Sequence, residues 1–213
     1  MESFSRKYLE FLNTELKGLN LTRITDPEEF YNKQVLDSIT PLNICPIFKE
    51  KINKTKLLVD IGFGGGFPLL PLAKMLPDVK FLGVDTRKKK VLAVEKMANY
   101  LGLDNVKVIH ERIENIEIDK ECVVTYKAVS TVEQCLKWLR PTKSIYCFLY
   151  KGPELFEKEN LNKLPKNWKK IVQQPYEIPG TKGRIFLGFE GVSSFKKSNS
   201  SQVVFLSELI RSL

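Results

Sequence analysis

The sequence contains one histidine, His110, and no CxxC pair among its four cysteines. A single histidine leaves almost no material for a histidine metal site or a Ser-His-Asp triad. His110 ends the apolar run VKVIH, and a structural role is expected for it. Cys45, Cys122, Cys135 and Cys147 each sit in an apolar stretch, which reads as buried, reduced thiols of a cytoplasmic protein. No apolar run approaches the roughly 18–20 residues that span a bilayer. The opening MESFSRKYLEF carries no basic-then-apolar leader. Acidic residues are in deficit: 25 Asp+Glu against 34 Lys+Arg, net +9. That surplus points to a polyanionic partner, nucleic acid or an acidic membrane surface, or else to a generous solvated lysine surface. At 213 residues, 43% of them hydrophobic, the chain can bury a core without metal or disulfide staples.

The first 50 residues read as helical. Phe4, Tyr8, Phe11, Leu12 and Leu16 recur at helical spacing. Asp26-Pro27-Glu28-Glu29 is a helix start, with Asp as N-cap and Pro in the first turn. Pro41 is expected to end that helix, and Ile44, Ile47 and Phe48 suggest a third, short one. From Lys56 onward strands and helices alternate: strands at 56–61, 79–84, 106–109, 122–128 and 144–150, with helices at 68–75, 87–101 and 131–139 between them. Such alternation predicts an α/β fold with a mostly parallel sheet covered on both faces. Segments 170–174 and 184–189 read as a closing antiparallel hairpin, 191–201 as a linker, and 203–213 as a terminal helix. The expected organisation is a helical cap (1–50), a main domain (51–190), and a linker with C-terminal helix (191–213) in one compact unit.

The chemical centre is the loop Asp60-Ile61-Gly62-Phe63-Gly64-Gly65-Gly66-Phe67-Pro68, between the first strand and a helix. Glycines there let the backbone turn sharply and approach a ligand closely. In an open parallel sheet, ligands bind beyond the carboxyl ends of the strands. Asp85 closes the second strand, where a carboxylate can grip ribose hydroxyls. The dinucleotide fingerprint GxGxxG fails at Phe67, and Asp60 would repel a pyrophosphate. The same carboxylate suits a cofactor bearing an ammonium and a sulfonium. DxGxGxG resembles the cofactor loop of class I S-adenosylmethionine-dependent methyltransferases, which have a Rossmann-like sheet.

The wider sequence is more specific. Asn20-Leu21-Thr22, Asp26-Pro27-Glu28, Leu36-Asp37-Ser38, the glycine loop, Asp85 before Lys88-Lys89, Arg112-Ile113-Glu114 and Lys151-Gly152 together resemble the bacterial 16S rRNA guanine-N7 methyltransferase family, also called glucose-inhibited division protein B. The resemblance runs from about residue 8 to about residue 190. It implies S-adenosyl-L-methionine as cofactor, no metal, and a monomer acting on 16S rRNA of the 30S subunit in the cytoplasm. It places Gly62, Gly64 and Phe67 at the methionine and ribose side, beside the Asp60 carboxylate, with Asp85 on the ribose and Ile113 and Glu114 around the adenine. Asp37 and Ser38 would lie on the cap near the loop, or serve as a helix C-cap and core support. Two positions depart from the family pattern: Gln34 stands where a His is usual, and Tyr126-Lys127-Ala128 where Ser-Arg-Ala is usual. Lys127 keeps the charge without the planar fork and remains a candidate for the cofactor–substrate boundary.

Guanine N7 carries a lone pair and no proton, so its methylation has no obligatory general base, and no catalytic residue is assigned. Phe63, Tyr126 and Tyr150 are candidates for stacking on a base, with core positions as the alternative. Lysines cluster at Arg87-Lys88-Lys89-Lys90, at Lys49, Lys51, Lys54 and Lys56, and at Lys163, Lys166, Lys169 and Lys170. The RNA-facing set is expected to be Lys33, Arg87, Lys88, Lys89, Lys90, Lys151 and Arg184. Competing readings are a methyltransferase with another acceptor, such as tRNA or protein, and a non-catalytic RNA-binding assembly protein keeping the fold.

Overall fold

A computed structural model describes residues 1–19, 21–161, 164–191 and 203–213. Helix α1 (Glu2–Thr14) buries Phe4, Tyr8, Leu9 and Leu12 on one face. Asp26 caps α2 (Pro27–Phe30) by accepting from the Glu29 amide at 2.7 Å. The chain runs on through a π-helical segment, Tyr31–Leu36, into α3 (Asp37–Ile44). Pro41 therefore lies inside a helix and does not end it. The helix continues past it with Ile39, Pro41 and Leu42 all buried, so tertiary packing overrides the local penalty; the Ser38 hydroxyl donates to Gln34 O (2.5 Å) and the Thr40 hydroxyl to Leu36 O (2.8 Å). Helix α4 (Pro46–Thr55) stops at Lys56, in the left-handed region at φ 53°.

The alternating region follows: β1 (Leu57–Ile61), α5 (Leu69–Met75), β2 (Lys80–Asp85), α6 (Lys88–Tyr100), β3 (Val106–His110), β4 (Ile116–Ile118), β5 (Val123–Lys127), α7 (Val132–Trp138), β6 (Arg140–Pro141), β7 (Ile145–Lys151), α8 (Leu155–Lys158), β8 (Trp168–Tyr176) and β9 (Arg184–Gly191). The main sheet has the order β3-β2-β1-β5-β7-β9-β8. Its first five strands are parallel, and β9 runs antiparallel to both β7 and β8. The expected mostly parallel sheet with a closing antiparallel hairpin is what forms. β1 is buried at every position, as a central parallel strand covered on both faces must be. The chain leaves β1 for β2 on one side and reaches β5 on the other, so the topological switch point lies at the end of β1.

One face of the sheet is covered by the first four helices with α5 and α6, in a continuous apolar cluster. There Phe48 of α4 meets Phe148 and Phe186 of the sheet at 4.7 and 5.0 Å. The other face packs α7, β4 and the C-terminal residues. All four cysteines are free and buried. No helix among the described residues is long and apolar enough to cross a membrane.

The C-terminal residues depart from expectation. Instead of a helix over 203–213, they form β10 (Val204–Phe205) and one short turn of helix, α9 (Leu206–Leu209). β10 lies beside β4, which also pairs with β6, in a small parallel sheet. Pairing with an open strand edge outweighs the helical periodicity of so short a segment. The expected linker falls almost wholly outside the described residues, as do Asn20 and Lys163.

Candidate cofactor cleft

The glycine loop leaves β1 at the switch point, with Gly62, Gly64 and Gly66 at φ 68°, 58° and 93°. Only glycine adopts such angles without strain. The Gly62 amide donates to Val84 O at 2.7 Å, which ties the turn to β2. Asp85, buried at the end of β2, laces the loop further: its Oδ2 accepts from the Gly64 amide (3.2 Å) and its Oδ1 from the Arg87 amide (2.8 Å). A carboxylate has about four acceptor sites, so Asp85 keeps capacity for a ligand hydroxyl.

Beyond these strand ends opens a cleft of about 210 Å³, lined by Gly62, Asp85, Ile113, Glu114, Val129 and Trp138 among others. A Cβ on Gly62 would stand 2.8 Å from Val129 Cγ2, so a side chain there would fill the cradle. Asp60 is fully buried one residue before the β1 terminus. Its Oδ1 accepts from the Thr125 hydroxyl at 2.7 Å, while its Oδ2 closes no hydrogen bond among the described residues. Burial raises its pKa to about 7, against the pull of Thr125, the Leu69 amide and Lys127. A buried carboxylate oxygen without a hydrogen bond of its own is compatible with a ligand that brings a cation. The carboxylate of Asp85 and the apolar Ile113 and Val129 of this lining suit the ribose and adenine of S-adenosylmethionine, while Asp60 lies buried behind the lining and not in it.

The cap grips the other side of the loop. The Tyr8 hydroxyl donates to Gly65 O, and the Tyr8 ring stacks on Phe67 at 4.9 Å. Phe30 meets Phe67 edge-on at 5.6 Å. Phe67 is therefore an anchor between cap and loop, and of the expected cofactor residues Asp60, Gly64, Phe67 and Lys127 are not among those lining the cleft. Asp37, 2% exposed, is no C-cap; it joins the cap to the far strands. Its Oδ2 pairs with Lys127 Nζ at 3.0 Å, and its Oδ1 accepts from the Tyr176 hydroxyl at 2.8 Å, with Arg184 Nε 3.8 Å away. Ser38 is buried, and its carbonyl accepts from Tyr150 at 2.7 Å.

Similarity to known proteins decides the family. The family described as rRNA small subunit methyltransferase G matches residues 2–185. The chain belongs to this family. The Lactobacillus johnsonii protein named ribosomal RNA small subunit methyltransferase G is 36% identical over 65% of this chain, a match spanning 59% of that protein. The namesakes from Lactobacillus helveticus and Pseudomonas entomophila are 33% and 30% identical over 82% and 83% of this chain, and 75% and 80% of their own lengths. Among solved structures, yhhF from Escherichia coli superposes with a TM-score of 0.51 at 10% identity, over 71% of this chain and 87% of that one. That likeness concerns the fold alone.

In this member of the family the two departing positions touch: Lys127 Nζ lies 3.3 Å from Gln34 Oε1 and donates to Lys33 O at the same distance. The expected RNA-facing residues divide into two groups. Arg87, Lys88 and Lys89 are exposed beside the cleft, and Lys90 is half-buried with its Nζ near Gly64. The others already have partners. Lys33 pairs with Glu29 at 2.6 Å. Lys151 is nearly buried between Glu159 and Ser130 O, both at 2.7 Å. Arg184 donates to Lys182 O at 3.1 Å. Lys54 and Lys56 stand at the amino end of β1, and Lys169 and Lys170 pair with the carboxyl end of β9, across the sheet from the cleft. Phe63, Tyr126 and Tyr150 are all core residues, so none offers a face to a base. His110 is exposed at the end of β3, its Nε2 3.0 Å from Thr86 O.

Sequence reasoning missed Thr125 and Tyr176. The first had a signal, since a buried Thr falls beside Asp60 in the β1–β5 register. Tyr176 had none, because it reaches Asp37 across 139 residues.

Proposed function

We propose that this protein transfers the methyl group of S-adenosylmethionine to N7 of a guanine in 16S rRNA of the small ribosomal subunit, in the cytoplasm. The observation that carries the reading is the family match over residues 2–185. The cleft is compatible with it: Asp85 lines the cleft, Asp60 lies buried close behind, and exposed cations stand beside it. When bound, the cofactor supplies an electrophilic methyl group to the N7 lone pair. No proton leaves the nucleophile, so the chain needs no base. Its work is positioning, which in favourable cases lowers a barrier by about 7–11 kcal/mol. Asp60 holds the ammonium end, Asp85 fixes the ribose, and Ile113 and Val129 exclude water from the adenine side. Arg87, Lys88 and Lys89 receive RNA phosphates at the rim. Guanine becomes cationic on methylation, and nearby carboxylates favour that change.

The test is transfer from labelled S-adenosylmethionine to 30S subunits and to naked 16S rRNA, followed by mapping of the modified base. Label on a guanine N7 supports the reading, and comparing the two substrates shows whether the assembled subunit is the acceptor. Intact cofactor binding with no label on any ribosomal RNA rejects it, in favour of another acceptor or a non-catalytic role.

A further inference from the structure

Residues 203–213 lie beyond the family match, which ends at residue 185, yet they are built onto the wall of the cofactor cleft. The cleft residues Ile113 and Glu114 belong to a single 3₁₀ turn, Ile113–Asn115, that runs directly into β4. A three-residue strand with a one-turn lead-in has little stability of its own, so its neighbours decide its position. On one side β6 holds it, with Arg140 Nη1 donating to Glu114 O at 3.3 Å. On the other side lies β10, with Val204 opposite Ile116.

The C-terminal residues are fastened at further points. Asp119, one residue after β4, accepts from Ser207 twice: from its amide at 2.8 Å and its hydroxyl at 2.6 Å. Lys107 of β3 donates to Leu209 O at 2.8 Å. Leu206 is fully buried in the same apolar cluster as Ile113 and Ile116.

We propose that the C-terminal segment is a strap that sets the adenine side of the cleft, with Asp119 and Ser207 as positioning residues for cofactor binding. The inference rests on reading this cleft as the cofactor site. If the strap is loosened, the 113–118 segment samples other positions, and cofactor affinity falls by the fraction of time the wall is misplaced.

The test uses full-length Asp119→Ala and Ser207→Ala proteins. Ser207→Ala removes one hydroxyl bond, leaves the amide bond, and guards against a folding failure of the first variant. Hydrogen exchange without ligand is expected to speed up by about tenfold at amides 113–118 in Asp119→Ala, and by less in Ser207→Ala, with β1 and β5 unchanged. The dissociation constant for S-adenosylhomocysteine should rise about five- to tenfold in Asp119→Ala, and KM for the methyl donor should rise with kcat preserved. Unchanged exchange at 113–118 with unchanged affinity overturns the strap. If the unaltered protein itself binds no S-adenosylhomocysteine, the cofactor reading fails, and exchange alone then decides whether the strap orders this wall.

Discussion

Lys127 and Asp37 form an ion pair of 3.0 Å in which the two side chains are 14% and 3% exposed. The pair ties the end of β5 to the cap, beside the glycine loop that Tyr8 and Phe67 fasten from the same side. Removing one partner of a buried pair leaves the other charge uncompensated, typically costing about 3–5 kcal/mol. Tyr176 and Arg184 remain near Asp37, so Lys127→Met should cost close to the lower figure, about 3 kcal/mol, in urea unfolding. Lys127→Arg, which retains the charge, should cost less than Lys127→Met. A Met variant as stable as the parent would mean that Asp37 does not need this lysine.

Asp60 makes the cleft sensitive to pH. Burial holds its pKa at about 7 in the folded protein, against an ordinary value of 3.8. Between those values the unfolded chain has lost the proton and the folded chain has kept it. The contribution of Asp60 to the stability of the ligand-free protein should therefore be full near pH 4 and be lost as pH rises to about 7. Asp60→Asn should flatten that slope. A cationic ligand favours the ionised carboxylate, so cofactor affinity should rise over the same window and level off above it. Calorimetry near pH 6 in two buffers of different ionisation enthalpy should show proton release on binding, and none in Asp60→Asn. Proton uptake would place the ammonium elsewhere.

Gly62 tests the cradle. Its φ of 68° costs an alanine about 1–2 kcal/mol, and the new Cβ would also stand 2.8 Å from Val129 Cγ2. Gly62→Ala should weaken cofactor binding by about tenfold or more. Adding Val129→Ala should recover part of that loss, because it relieves the contact while leaving the backbone strain. Gly180 separates strain from position: its φ is 70° with nothing within 4 Å of a Cβ, so Gly180→Ala should leave cofactor affinity unchanged. Full affinity in Gly62→Ala would show that the loop does not hold the cofactor.

The sheet was legible in the sequence because each strand carries its own signal. LLVDI before a glycine run and VKFLGV before a turn are short apolar stretches bounded by breakers, as buried parallel strands should be. Gly62 and Asp85 were legible for the same reason, since both sit at strand ends fixed by that pattern, whereas Ile113 and Glu114 followed only from the family resemblance. What escaped notice depends on partners distant in sequence. Strands of two or three residues, such as β4 and β6, hold too few positions for a period to show. Pro41 reads as a stop from local propensity, but it is buried in α3 beside Ile39 and Leu42, and packing carries the helix past it. Arg184 and Lys151 look like free cations in a basic sequence, but Asp37 and Glu159 lie close to them in the fold.

The net charge of +9 is distributed over both ends of the sheet, and the two ends should behave differently toward RNA. Lys88, Lys89 and Lys90 form the first turn of α6, which contains no acidic residue and no side-chain cap. Cations there oppose the helix dipole, so replacing them with Gln should not destabilise the fold. Any loss of RNA binding in the triple variant is then a loss of contact. Each phosphate contact removed should reduce the slope of log K against log salt by about 0.7–0.9, so the triple variant should bind more weakly and depend less on salt. The comparison is Lys54→Gln with Lys56→Gln and Lys169→Gln, at the opposite end from the cleft, where affinity and slope should not change. A loss confined to this second set would mean that the RNA lies across the amino ends of the strands, away from the glycine loop. An equal loss in both sets would mean that the charge acts as a diffuse field and not as a surface facing the reaction.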